Sequence, residues 1–114
     1  MMKAVTLAAA LIGAAPLLAA EPAPGQTEET RIPRMRSFLE AVVRDDRGVY
    51  VRADTGQWYY ARTRGTCARL RPTAPLAFET TPQGDLDRFG AIRVEGWRCP
   101  LESVTQSAPP PPTS

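Results

Sequence analysis

Two closely spaced pairs of carboxylates, Asp45-Asp46 and Asp85-x-Asp87, have residue types and spacing that could do chemistry. Two carboxylates that flank a cleft can hydrolyse a glycosidic bond, one as the acid and the other as nucleophile or base. Here the first pair runs into Arg47-Gly48 and the second lies between glycines, where solvated turn acids are ordinary. The pattern favours a structural role, with a carboxylate-based hydrolase as a remote alternative. The Asp-x-Asp spacing also lacks the further ligands of an EF-hand calcium loop.

Histidine is absent from the sequence. Without histidine, the Ser-His and Cys-His pairs of nucleophilic catalysis and histidine-ligated metal sites cannot form. The chain also has no Cys-x-x-Cys motif and no Gly-rich phosphate loop. We therefore predict a protein that is not an enzyme and that uses no metal and no cofactor.

The cysteines are Cys67 and Cys99. An even number of cysteines in an exported chain favours a disulfide. The alternatives are two free thiols or a metal pair, and two cysteines without histidine make a poor zinc site because zinc takes four ligands. Closing a loop of about 33 residues contributes roughly 3.5–4 kcal/mol in the chain-entropy description. We predict a bridge between these two cysteines.

The run 57–63 contains three adjacent aromatic residues between two turn-like stretches. If this run is a strand, Trp58, Tyr60 and Arg62 share one face, because strand side chains alternate. Both faces then carry a large aromatic side chain. Two interpretations stay open: packing in the core and against neighbouring strands, which is favoured, and an exposed aromatic platform that binds a ligand.

Export is indicated by the first twenty residues, which have the order of a secretory signal peptide: Lys3, an apolar run over 4–18, and a small-residue end. Cleavage is expected after Ala20, with Ala19 as the alternative site; the other interpretation is an uncleaved anchor. The apolar run is shorter than the roughly 20 residues of a membrane span. We expect a periplasmic or secreted protein with no stable membrane span after cleavage.

Charge is nearly balanced in the mature chain. Lys3 is the only lysine among 14 basic residues, so 13 arginines remain against 12 acidic residues. A nucleic-acid-binding protein needs basic residues clustered on one face. We therefore expect no nucleic acid among the partners.

Short apolar runs separated by turn residues predict an antiparallel meander. The predicted strands cover residues 36–43, 49–53, 57–63, 74–80, 91–96 and 101–104. The first run also fits a helix, because Phe38 and Val42 are four residues apart, and periodicity alone does not separate the two. Single helical turns are predicted at 66–70 and 85–90.

Both ends of the mature chain are polar and rich in proline. We predict a disordered linker over 21–33, one small domain over 34–104 and a disordered Pro-rich tail over 105–114. The predicted fold is mainly β: a small antiparallel meander or a partly open five- or six-stranded barrel. One or two single-turn helices and one disulfide complete it.

The order of these motifs resembles a family of small exported proteins of Gram-negative bacteria, described as a domain of unknown function. The resemblance covers residues 34–104, and its most specific element is the pattern G-x-[WY]-Y…C-x-x-L…C. The matching stretches are Gly56-Gln-Trp-Tyr-Tyr, Cys67-Ala-Arg-Leu, Leu76-Ala-Phe-Glu, Asp85-Leu-Asp-Arg-Phe, 94–99 and 101–104. The resemblance implies a signal peptide, a β-rich domain and a bridged pair of cysteines, Cys67 and Cys99.

Two classes of function fit these features. The first is a binding or accessory protein of the bacterial envelope that holds an envelope protein, a peptide or a glycan. Its surface would be the face of Trp58, Tyr60 and Arg62, or the pair Trp97 and Arg98, since aromatic residues and arginine are enriched in binding hot spots. The second is a structural or stress-related envelope protein with no specific ligand. An exposed tryptophan would favour the first class, and complete burial of both the second.

Overall fold

The computed structural model describes residues 28–112. The predicted signal peptide and the linker residues up to 27 lie outside this range. The described chain forms six strands preceded by one 3-10 turn, Met35–Ser37. The strands are β1 (Glu40–Asp45), β2 (Gly48–Arg52), β3 (Trp58–Thr63), β4 (Leu76–Glu79), β5 (Ala91–Val94) and β6 (Trp97–Ser107).

All neighbouring strands are antiparallel, and they form one sheet in the order β1-β2-β3-β6-β5-β4, curled into a half-barrel. β6 is 11 residues long and joins the two halves. Its first residues pair with β5, and from Leu101 onward it pairs with β3, with a register shift beside Arg62 and Thr63. The predicted fold class, a mainly β, partly open barrel with one disulfide, is confirmed.

The core lies on one side of the curled sheet. Alternation along β3 shows this directly, because Tyr59, Ala61 and Thr63 are buried while the residues between them are not. The largest fully buried side chains come from several strands and from two connections: Ile32, Leu86, Ile92, Leu101, Val49, Val51, Val94, Val104 and Cys67. Each strand therefore contributes one face to the core and leaves the other facing outward.

The disulfide ties the connection after β3 to β6. Cys67 and Cys99 are bonded, with their Cα atoms 5.8 Å apart, as predicted. The single helical turn predicted at 66–70 is wrong. The N–H of Cys67 donates to the carbonyl of Asp46 at 2.7 Å, and the chain then makes one turn in which Leu70 N–H donates to the Cys67 carbonyl at 3.0 Å. The hydrogen bond from Leu70 to Cys67 closes a single turn that does not continue as a helix.

The helical turn predicted at 85–90 is also wrong. Leu86 instead exchanges two backbone hydrogen bonds with Ile32, at 2.8 and 2.9 Å, and both side chains are fully buried. The extended segment around Ile32 satisfies the backbone of Leu86, so no helix forms. Phe89, in the same segment, is 77% exposed.

The folded part of the chain extends beyond both domain boundaries expected from the sequence. Glu29 bridges Thr105, and the N–H of Thr30 donates to the Val104 carbonyl at 2.8 Å. Together with buried Ile32, these contacts make residues 29–32 part of the fold rather than of a disordered linker. At the other end, β6 continues to Ser107, inside the predicted tail.

The ambiguous segment 36–43 divides in two. Residues up to Ser37 form the 3-10 turn, and β1 begins only at Glu40, so the strand prediction is correct for its second half alone. Between them, Phe38 makes an edge-to-face contact with Phe78 of β4, with ring centroids 5.6 Å apart. This contact joins the segment before β1 to β4, the strand at the other edge of the sheet.

Across residues 28–112, no helix has the length and apolar character needed to cross a membrane.

Candidate functional site

The outward face of β2 and β3 carries three aromatic side chains next to one another. The register places Tyr50 opposite Tyr60 and Arg52 opposite Trp58. The rings of Tyr50 and Tyr60 are 4.8 Å apart at a tilted angle. All three aromatics are only partly buried, whereas Tyr59, between two of them in sequence, is 7% exposed and faces the core. We call Val42, Tyr50, Trp58 and Tyr60 the outer aromatic face.

A glycine under Tyr60 makes this arrangement possible. A Cβ atom added to Gly48 would lie 2.5 Å from the Tyr60 ring and hydroxyl and 2.7 Å from the carbonyl oxygen of Ala61. Carbon atoms cannot approach so closely, and the backbone oxygen cannot move aside without breaking the sheet. Tyr60 therefore lies flat across the β2 backbone, which fixes its ring against the sheet and leaves the opposite ring face outward.

Burial raises the pKa of Tyr60, with smaller contributions from the negative charge of Asp45 and from Tyr50. The hydroxyl consequently stays protonated near neutral pH and can donate a hydrogen bond. A rigid ring with a hydroxyl at its edge can pack against apolar groups and also donate to a carbonyl oxygen.

Charged residues border the outer aromatic face. Arg62 is exposed, lies between Gly48 and Ser103 in the register, and forms no ion pair with another residue in 28–112. On the other border, Arg52 faces Glu40 at 3.7 Å. The predicted set of Trp58, Tyr60 and Arg62 is therefore brought together on one outward surface.

The second predicted pair, Trp97 and Arg98, lies at the opposite end of β6. Trp97 is 57% exposed, and the guanidinium of Arg69 lies 5.5 Å from the centre of its ring. A shallow cavity of about 230 Å³ beside the disulfide is lined by both members of the pair, with Arg64 and Arg69. Ten residues of strand, roughly 30 Å, separate Trp97 from Ser107, the partner of Trp58. The five predicted residues thus form two separate surfaces.

Part of the positive charge around this cavity is neutralised, because four arginines share two carboxylates. Arg98 donates to Glu79 at 2.8 Å, and the same carboxylate accepts from Arg93 at 2.7 Å. Glu95 pairs with Arg69 at 3.5 Å and also with Arg71. The cavity is also smaller than the 300–1,000 Å³ of typical ligand pockets.

The candidate catalytic carboxylates have structural roles in turns. Asp45 accepts a hydrogen bond from the N–H of Arg47, and Asp87 accepts one from the N–H of Phe89, both at 2.9 Å. Asp85 contacts Arg31 at 3.4 Å. Over residues 28–112, no group of three or more potential ligands is arranged to hold a metal ion.

Arginine partners lower the pKa of Asp54, Glu79 and Glu95. The largest cause at Asp54 is its hydrogen bond from Arg34, whose Nε lies 2.7 Å from the carboxylate. A general acid needs the opposite shift, so that it carries a proton at the working pH. These groups are suited to ion pairing.

Sequence reasoning missed Tyr50 and Val42 as members of the outward surface. The alternation Val49-Tyr50-Val51 was visible, and it separates Tyr50 from two buried valines. What the sequence lacked was the register across the 53–57 turn, which sets Tyr50 opposite Tyr60. The pairing of β1 with β2 also has a register shift between Val42 and Asp45, and no turn residue in the sequence indicates this shift.

Comparison of the chain with protein-family models, with curated proteins and with solved structures finds no match.

Proposed function

We propose that this protein is a non-enzymatic, exported binding or accessory protein of the bacterial envelope, and that it holds a partner on its outer aromatic face. The envelope location rests on the predicted signal peptide and on the disulfide, which is a bond of oxidising compartments. The family resemblance points the same way. The proposed partner is an extended peptide segment, either separate or part of an envelope protein.

One observation carries the proposal: β3 places its core residues inward and still directs Trp58 and Tyr60 outward beside Tyr50. Aromatic side chains left partly exposed cost solubility and add little to the core. Rigid aromatics next to arginine are the composition of a binding hot spot. Tyr60 is held over Gly48, so its ring loses little freedom when a partner binds.

A peptide fits this surface better than a small ligand does. The face is a strip across three strands with hydrogen-bond donors at its border, namely the Tyr60 hydroxyl and Arg62. An extended peptide offers a row of backbone carbonyls and alternating side chains to such a strip. A glycan can also stack on aromatic rings, and this possibility is an outcome of the test below.

The surface around Trp97 is the weaker of the two candidates. Two of the three arginines that line its cavity, Arg69 and Arg98, are engaged by Glu95 and Glu79, so an anionic partner would compete with existing ion pairs. Trp97 itself is already covered on one side by Arg69. The outer aromatic face has no comparable internal partner among the described charged side chains.

The test uses the full exported chain as bait in an envelope extract, with Trp58→Ala and Trp97→Ala as a matched pair of variants. We expect wild type and Trp97→Ala to retain the same partner and Trp58→Ala to lose it. A hot-spot loss of about 2 kcal/mol corresponds to roughly thirtyfold weaker binding.

Equal retention by all three proteins would contradict the use of this face. Retention lost only in Trp97→Ala would move the site to the other end of β6. If wild type retains nothing, the proposal fails and the structural or stress-related alternative takes its place. Capture of a glycan that depends on Trp58 would support the outer aromatic face as the binding site and would contradict the proposal that the partner is a peptide.

A further inference from the structure

The Pro-rich segment after β6 turns back over the sheet. β6 ends at Ser107, which is opposite Trp58 in the register. Gln57 reaches across and donates from its side chain to the Ser107 carbonyl at 3.4 Å, and the Ser107 hydroxyl donates to the Ala108 carbonyl at 2.6 Å. The start of the segment is therefore anchored beside the outer aromatic face.

The far end of the same segment is attached to the first strand. Arg44 donates from its Nε to the carbonyl oxygen of Pro111 at 2.8 Å. Arg44 belongs to β1, two strands away from β3 in the sheet order. Only residues 108–110 lie between the two attachment points.

The route between these points crosses the outer aromatic face. The other side of the sheet is filled by Val49, Val51 and Ala61, all fully buried, so no chain can pass there. Ser107 lies on β6, so three strand spacings, about 14 Å, separate it from β1. Four residues of extended chain span about 12 Å, and the Arg44 side chain covers the remaining distance to the Pro111 carbonyl. The direct route between the two attachment points runs over the Tyr50 and Tyr60 positions of β2 and β3. Pro110 is the one proline of 109–112 that is partly buried.

The chemistry of the two parts matches. A polyproline segment makes no internal hydrogen bonds, and its prolines have no N–H, so its carbonyls are free acceptors. Proteins that bind such segments use grooves lined by aromatic side chains, with proline rings packed on the aromatic rings. Here the direct route of a segment with four prolines runs over the strip of Tyr50, Tyr60 and Trp58, and an arginine donates to a proline carbonyl.

We propose that the outer aromatic face is a binding site for proline-rich segments in the polyproline II conformation, and that the chain's own tail occupies it in cis. This inference rests on the proposed function and names its ligand class. The tail is a weak occupant, because residues 108, 109, 111 and 112 stay exposed. A proline-rich segment of a partner that makes more contacts displaces the tail. Only segments that compete successfully with the tail therefore bind to the outer aromatic face.

The experiment compares the chain cleaved of its signal peptide with the same chain ending at Ala108, which keeps the Ser107 hydrogen bond. The probe is a labelled peptide of residues 107–114, and the matched control peptide has alanine at its four proline positions. We expect the shortened protein to bind the probe and not the control. A short tether gives an effective concentration in the millimolar range, so the full chain should bind the probe about tenfold more weakly.

Two variants of the shortened protein locate the site. Arg44→Gln removes the donor to the proline carbonyl on an exposed residue and should weaken binding severalfold without unfolding the protein. Trp97→Ala should leave binding unchanged. Equal affinity of probe and control peptides, or of full and shortened proteins, would overturn the inference.

Its failure is distinguishable from failure of the proposed function. If the shortened protein ignores both peptides while Trp58→Ala still loses the envelope partner, the face binds a ligand of another class and the tail inference alone falls. If Trp58→Ala keeps that partner, the face itself is not the site.

Discussion

The two faces of β3 differ in what their aromatic residues do. Tyr59 is buried against the core, and its neighbours in sequence, Trp58 and Tyr60, are turned outward and only partly covered. All three are large aromatic residues of the same strand, which pairs with β2 in a regular register. The type of side chain alone therefore does not tell whether an aromatic residue stabilises the fold or is available for binding. The face of the strand on which it lies decides between these two roles.

The largest expected effect is on the inward side. Tyr59→Ala removes a buried ring, and truncations of this size cost about 3–5 kcal/mol. The outward truncation Trp58→Ala should cost less, because that side chain is only partly buried and lies outside the core cluster. Denaturant unfolding of both variants measures the difference in unfolding free energy. Equal losses would show that both faces belong to one core.

Removing the disulfide should have a similar but slightly smaller effect. Cys99→Ser opens the bridge to Cys67, which closes a separation of 32 residues. Without that constraint the unfolded chain gains conformational entropy, and we expect a loss of roughly 3–4 kcal/mol. A core this small supplies little more than that. The measurement is the midpoint of thermal unfolding, and an unchanged midpoint would mean that the inward face holds the fold without the bridge.

Gly48 affects both faces of the sheet. The ring of Tyr60 packs on its outward side, and β2, to which Gly48 belongs, contributes Val49 and Val51 to the core. Gly48→Ala forces Tyr60 away from the β2 backbone, and overpacking of this kind costs about 1–3 kcal/mol. A neutral Gly48→Ala would show that Tyr60 is free to move.

The smallest expected effect is a loss of folding stability at acidic pH. The pKa values of Asp54, Glu79 and Glu95 are lowered in the folded state by arginine partners. Their stabilisation is therefore complete above the ordinary carboxylate pKa of about 4 and is lost as pH falls below it. Because these groups are exposed, the loss should be small. Chemical unfolding at pH 7 and pH 3 measures it, and Arg34→Gln should reduce the difference. Greater stability at pH 3 would contradict the account.

Much of the fold could be predicted because it depends on local signals. Period-two alternation and turn residues located the strands, and the cysteine count located the bridge. The misplaced parts depend on distant partners. Leu86 is extended because Ile32 pairs with it, and the segment that begins at Cys67 is attached to the β1–β2 turn through the hydrogen bond from Cys67 N–H to the Asp46 carbonyl. No property of either sequence window encodes those partners.

The candidate site was predictable in the same partial way. Alternation correctly grouped Trp58, Tyr60 and Arg62 on one face. Tyr50 joins them through the β2–β3 register, and the tail reaches them through Arg44, which is 67 residues away from Pro111 in sequence. Trp97 and Arg98 are adjacent in sequence and line one cavity, and the pairing of Arg98 with Glu79 is again a contact between residues distant in sequence.

The most direct test of the account compares the indole N–H signals of Trp58 and Trp97 by NMR in the full chain and in the chain ending at Ala108. Because removing the tail uncovers the outer aromatic face, we expect the Trp58 signal to move in the shortened chain. Adding the peptide of residues 107–114 should return this signal toward its original position. The Trp97 signal should stay fixed throughout. A Trp58 signal that neither moves on shortening nor responds to the peptide would contradict the account.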